Sequence, residues 1–142
     1  MTLSQLIYTS SCSAAMTPRM AYETSAKSVG ICQKLGLTGR VFANNQQALA
    51  MTEGPTELVH SYYQAVAADS LVESIILHTD RIIPVREFSN YSVWLNVDTP
   101  IDFTETVCHL TAESLQHAMP AKISGRLRIM IEAYLKPDLL NN

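Results

Sequence analysis

A chain of 142 residues, 47% apolar and 16% charged, has the size and composition of one folded domain and not of a disordered segment. Its net charge of −3 offers no general attraction to nucleic acid or anionic lipid, both polyanions. The cysteines Cys12, Cys32 and Cys108 are irregularly spaced and odd in number, which argues against a disulfide framework. No apolar run is long enough for a membrane span, and no basic segment precedes an apolar one at the N-terminus; the expected location is cytoplasmic.

Residues 3–9, with Leu6, Ile7 and Tyr8, predict a buried strand, and the small polar run 10–16 a loop. Thr17-Pro18 is a helix start, threonine capping and proline at the first helical position; the helix is expected to end at Leu35, with Gly36 as its terminating glycine. Residues 38–43 and 47–52 predict two strands around the turn Asn44-Asn45. A second helix opens at Gly54-Pro55, carries Leu58, Val59, Tyr62, Tyr63 and Val66 at helical spacing, and closes at Asp69-Ser70. Strands are expected at 72–78 and 91–97, joined by a mixed connection over 81–90. Two further helices are predicted, about 104–119 stopped by Pro120 and about 123–135 stopped before Pro137.

The expected fold class is α+β: a ferredoxin-like βαββαββ sheet with two helices on one face. The last helix carries Ile123, Leu127, Ile129, Met130, Ile131, Tyr134 and Leu135, too apolar to lie free in water, so the two C-terminal helices are expected to cover the other face. The implied division is a domain over 1–98 and a helical extension over 99–142.

Four dispersed features stand in a telling order: Tyr8 on the first strand, Gly36-Leu37-Thr38-Gly39, the segment Ala50-Met51-Thr52-Glu53-Gly54, and Trp94. Together with the order of elements they resemble the BLUF family of flavin-using blue-light sensors, over about residues 3–97. The resemblance implies flavin-site positions at Tyr8, Ile31, Cys32, Ala50 and Trp94, of which Tyr8 and Trp94 match the family type. The family's relay glutamine falls on Ala50, its asparagine pair on Ile31 and Cys32, and its phosphate-contacting basic positions on Ala65, Leu71 and Val72. Leu95-Asn96 replaces the Ser-Met pair after the tryptophan.

Each polar ligand group left unpaired costs about 1–3 kcal/mol, so losing three or four partners weakens binding by about 4–8 kcal/mol, or about three to six decades. Ile31, Ala50 and Val72 are expected to collapse together into the vacated cleft. Alanine also has no group to relay a proton. The sequence therefore points to a BLUF-like regulatory protein with no flavin expected, acting through protein contacts at its sheet or C-terminal helices and capable of forming a homo-oligomer. Two other readings fit the same frame: a working FAD photoreceptor with modified contacts, and a small-ligand or metal sensor in the former cleft.

Other constellations point less far. Glu105, His109, Glu113 and His117 recur every fourth residue on the predicted third helix with Cys108 alongside, a spacing compatible with zinc but read here as a solvated polar face; no metal is expected. Cys12 has no histidine placed beside it by sequence, and no nucleophile–base pair can be read, so no enzymatic activity is expected. Arg126, Arg128 and Lys136 suit either an acidic partner or the helix C-terminus. Arg40 occupies a strand position where it faces solvent or pairs with Glu53 or Asp69.

Overall fold

The computed structural model of the chain describes residues 2–120 and 122–138. In chain order its elements are β1 (Leu3–Cys12), α1 (Pro18–Leu35), β2 (Thr38–Ala43), β3 (Gln47–Pro55), α2 (Thr56–Ala67), β4 (Val72–Ile83), β5 (Tyr91–Leu95), β6 (Val107–His109), α3 (Leu115–Ala118) and α4 (Gly125–Asp138). The strands form a six-stranded sheet in the order β4-β1-β3-β2-β5-β6. Within β1 to β4 every pairing is antiparallel, as in a ferredoxin-like unit; β5 pairs parallel with β2, and β6 parallel with β5.

The signals at the ends of α1 act as the sequence predicts. Thr17 Oγ1 accepts the Met20 N–H at 3.1 Å, and Gly36 adopts φ 70°, a left-handed conformation that glycine takes without steric cost. Gly39 is required for another reason: a Cβ there would lie 1.9 Å from the Met51 carbonyl oxygen on the adjacent strand.

Three strands outrun their predicted ends: β3 runs on to Pro55, taking in the Gly54-Pro55 pair expected to open the second helix, which starts at Thr56 instead. β1 continues to Cys12 because Ser10 and Ser11 pair with Ala48 and Gln47 on one side and with Ile75 and Ser74 on the other. β4 continues to Ile83 because Asp80 to Ile83 pair with Leu6 to Leu3, past a bulge at His78. Sequence polarity hid the extensions of β1 and β4, since ladder bonds to a neighbouring strand hold the backbone whatever its side chains. α4 likewise runs past Leu135 to Asp138.

The predicted helix over 104–119 is not formed. Thr104 Oγ1 accepts the N–H groups of Thr106 and Val107, a local turn that competes with helix, and Val107–His109 then pairs with Val93–Leu95. Only Leu115–Ala118 is helical in this stretch. Glu105, His109, Glu113 and His117 therefore share no helix face, and His109 stacks on Phe103 with ring centroids 4.8 Å apart. Among the described residues no group of three or more histidine, cysteine or acidic side chains is placed to hold a metal.

Strand alternation divides the core in two. Leu6, Tyr8, Ala50 and Val93 face α1 and α2, joining Val29, Cys32, Val59 and Tyr62. Ile7, Phe42, Leu49 and Met51 face the other way and pack with Leu127, Ile131 and Leu135 of α4. The C-terminal segment thus covers the second face, as its composition predicts, with one full helix where two are expected.

A polar network ties these layers together. Glu53, fully buried, accepts four hydrogen bonds: from Gln5 Nε2 (3.0 Å), Thr38 Oγ1 (3.1 Å), and the N–H groups of Glu87 (2.9 Å) and Phe88 (3.0 Å). Glu87 extends it by accepting the Ser124 N–H at the start of α4, at 2.9 Å. The Ser124 and Gln5 bonds, with Arg81 nearby, outweigh partial burial and lower the Glu87 carboxyl pKa. Arg40 neither faces solvent nor pairs with an acid. It donates to the carbonyls of Ala118, Gly39 and Asn90 and lies over the Phe88 ring, its centroid 5.2 Å away.

Replacing Glu53 by alanine strips a shared acceptor from buried donors of three segments. The expected loss is about 3–5 kcal/mol in denaturant unfolding, against less than about 0.5 kcal/mol for the exposed control Glu23→Gln. A second test concerns His60, whose Nε2 lies 2.7 Å from Asp80 Oδ2 and whose Nδ1 lies 2.7 Å from the Thr56 carbonyl. The bond to Asp80, and then the one to Thr56, raise its pKa. Because the folded value is raised, the stabilisation is complete below the unfolded histidine pKa of about 6.5 and is lost as pH rises through the folded value. The pair is well exposed, so its contribution is small. NMR titration is expected to place His60 above the ordinary histidine value and to bring it down in Asp80→Asn.

Candidate functional site

A cavity of about 140 Å³ lies between α1, α2 and the sheet. It exists because the strands beneath it present small side chains. Ala43 and Ala48 sit opposite one another on β2 and β3, and Ala50 follows two residues on, facing the same way. The register continues this row across the sheet: Tyr8 pairs with Ala50, Ala50 with Val41, and Val41 with Val93. Ala21, Thr24, Ser25 and Ser28 of α1 line the opposite side. No charged side chain is among its lining residues.

One end carries a cluster of hydroxyl and thiol groups. Tyr8, Tyr62, Tyr91 and Cys32 are all buried and electrostatically coupled to one another. Burial pushes the Tyr62 phenol up to about 12, with the Cys32 thiol adding to the shift and Ser28 opposing it. Burial also pushes the Cys32 thiol up to about 11, against weaker opposing bonds from Tyr62 and Tyr91. Tyr8 and Tyr91 are raised further, again first by burial and then by Tyr62. These groups are neutral donors and acceptors at physiological pH. Thr52, two residues along β3 from Ala50, stands close enough to Tyr8 to oppose the rise, but its buried Oγ1 makes no hydrogen bond of normal geometry. Tyr63 meets the Tyr8 ring edge-on at 5.0 Å.

The other end is different. Cys12 lines the cavity there, and its thiol pKa is raised by burial and then by Asp69 and Glu73, which are exposed and outside the lining. Asn45 Nδ2 donates to the Met16 carbonyl at 3.0 Å, joining the β2–β3 turn to the segment before α1.

Of the five positions singled out from sequence, the structure brings three together: Tyr8, Cys32 and Ala50 lie in one buried cluster. Two are elsewhere. Ile31 is 41% exposed on α1, one residue from Cys32 and so turned about 100° away from it. Trp94 points to the opposite sheet face, where it packs with the α4 cluster and donates to Ser92 Oγ at 3.0 Å; Tyr91, Val93 and Leu95 take the cavity side instead. The expected collapse of Ile31, Ala50 and Val72 does not occur, because Ile31 is outside and Val72 sits across from Cys12 at the end of β4. Ala65 is exposed, and neither it, Leu71 nor Val72 lines the cavity. Sequence reasoning missed Ser28 and Tyr91. The four-residue step from Ser28 to Cys32 and the alternation Tyr91, Val93, Leu95 were the available signals.

Comparison with known proteins agrees with this architecture. The BLUF protein BlrB in its dark state is 22% identical, covers 66% of this chain and 71% of its own, and superposes with a TM-score of 0.59. The BLUF domain of BlrP1 is 17% identical, matches 99% of each chain and reaches 0.72. A calcium and cyclic-di-GMP complex of BlrP1 from Klebsiella pneumoniae, 18% identical, matches 94% of this chain at 0.71, and this chain spans about a third (34%) of that protein. At these identities the likeness is one of fold. Comparison with curated proteins finds no match. The profile of the BLUF family, described as sensors of blue light using FAD, matches residues 3–94, well over half the chain. The chain belongs to the BLUF family.

Proposed function

We propose that this chain is a BLUF-family regulatory module that works through protein contacts and does not run flavin photochemistry. The observation that carries the reading is the pairing of Tyr8 with Ala50 across β1 and β3. The methyl group opposite the tyrosine holds no proton to relay and no hydrogen bond to rearrange. The cavity supports the same reading. Ligand sites for drug-sized molecules measure about 300–1,000 Å³, whereas this one is about 140 Å³ and is lined by no cation to meet a pyrophosphate. With no amide at Ile31 or Cys32, the residues present do not fit FAD.

The reading leaves output to a protein partner, with the C-terminal segment, through α4, packed on the sheet as an extension of the BLUF unit. α4 already occupies the second sheet face, so contacts fall on surfaces outside it. β4 is an edge strand of 12 residues, with Ile76 58% and Ile82 73% exposed. Such an edge offers unpaired backbone groups together with apolar side chains. Among the described residues no helix is long and apolar enough to cross a membrane.

The test is an absorption spectrum of protein purified with flavin supplied during expression, recorded in the dark and after blue light. The expected protein is colourless, and Ala50→Gln alone leaves it so, because the cavity volume and the missing cations are unchanged. A bound flavin whose band shifts reversibly to the red would overturn the proposal.

A further inference from the structure

We propose that the cavity between α1 and α2 binds a small, neutral aromatic molecule carrying one hydroxyl or N–H group. This rests on the reading that flavin does not occupy the same cleft.

Size comes first. A cavity of about 140 Å³ matches the roughly 150 Å³ cavity that accommodates benzene in an engineered protein core. It has room to seat one ring or two fused rings. Shape follows from the floor, where Ala43, Ala48 and Ala50 carry nothing beyond Cβ, while Ala21 and Ser25 of α1 line the opposite side. The space is a slot between a flat sheet and a helix, suited to a planar ligand lying over Val41 and Val93.

Polarity narrows the class further. The lining holds hydroxyl groups of Tyr8, Tyr62, Tyr91 and Ser28 but no charged side chain. Hydroxyl groups both donate and accept, so they satisfy a single phenol or indole group of either sense. Tyr62 already bonds to Ser28 and Tyr91 within the protein, the amides of Asn44, Asn45 and Gln47 also line the cavity, and each hydroxyl keeps a further site that a guest with one polar group can meet. An anionic guest meets no cation in the lining. Water filling the slot is displaced by a ligand that reproduces one of its hydrogen bonds, which favours binding.

The experiment titrates the full chain with indole and with p-cresol by calorimetry and thermal shift, using benzoate and FAD as further probes. The expected result is saturable one-to-one binding of indole or p-cresol with Kd between about 10 μM and 1 mM, the range open to so small a ligand. A rise in Tm accompanies it, and benzoate binds at least about tenfold more weakly for lack of a cation. Ala50→Leu places an isobutyl group in the slot and is expected to abolish binding while retaining the native circular dichroism. Val66→Phe, at the α2 wall, serves as the second blocking variant should Ala50→Leu fail to fold. Absence of indole and p-cresol binding to folded protein overturns the ligand and leaves the flavin-free reading standing. Undiminished binding in a folded blocking variant overturns the location, and equal binding of benzoate overturns the neutral character of the site. Stoichiometric FAD binding that excludes indole overturns both the ligand and the reading beneath it.

Discussion

The Glu53 carboxyl group is the point on which the rest of the structure turns. A buried acid is tolerated only where its acceptor sites are filled, and here four donors from β1, β2 and the segment before β5 fill them. The donors come from two strands already held by their ladders and from a connection that is not part of the sheet. Gln5 and Glu53 are direct partners in the β1–β3 register, so their side-chain bond reinforces the register that sets Tyr8 opposite Ala50. A slip of one residue would turn both side chains to the wrong face. The bonds to the Glu87 and Phe88 N–H groups hold the irregular connection after β4 against the sheet, and Glu87 passes the constraint on to Ser124 and α4.

From that anchor the two faces acquire different characters. The side carrying Ile7, Phe42, Leu49 and Met51 is filled by long aliphatic residues of α4 and closed. The side carrying Tyr8, Ala43, Ala48 and Ala50 is underfilled, because three alanines stand where larger residues would meet the helices. Cores pack to crystal-like density, and a gap of this size forfeits contact energy unless something repays it. The tyrosine and serine hydroxyl groups at its margin make the gap polar enough to be wet and large enough to hold a ring.

How much of this was legible in the sequence depends on whether local or distant residues decide each feature. α1 was readable end to end because Thr17, Pro18 and Gly36 act on their own neighbours. The order of the first elements was readable for the same reason. The 104–119 segment was not, since its four-residue spacing of acids and histidines is a helical signal that tertiary pairing overrode: Val107 to His109 pair along the edge of β5. For the site, Tyr8, Cys32 and Ala50 come together because strand alternation and helical period turn them to one face. Trp94 was read from its position in a motif, and strand alternation turns it to the α4 face. Ile31 lies apart for the matching reason on a helix, where one residue from Cys32 is already a different side.

The same alternation supplies a route between the two faces. Along β3, Ala50 forms the cavity floor, Met51 packs in the α4 cluster, Thr52 stands beside the Tyr8 phenol and Glu53 holds the network that reaches Ser124. Four consecutive residues of one strand thus address the cleft and the C-terminal helix in turn. Because Gly39 lies against the Met51 carbonyl with no room for a Cβ, β3 cannot shift without moving β2 as well. A displacement of β3 at Ala50 must therefore be accommodated at Met51 and Glu53, where it is felt by α4. The coupling is a consequence of strand geometry and needs no chemistry specific to flavin.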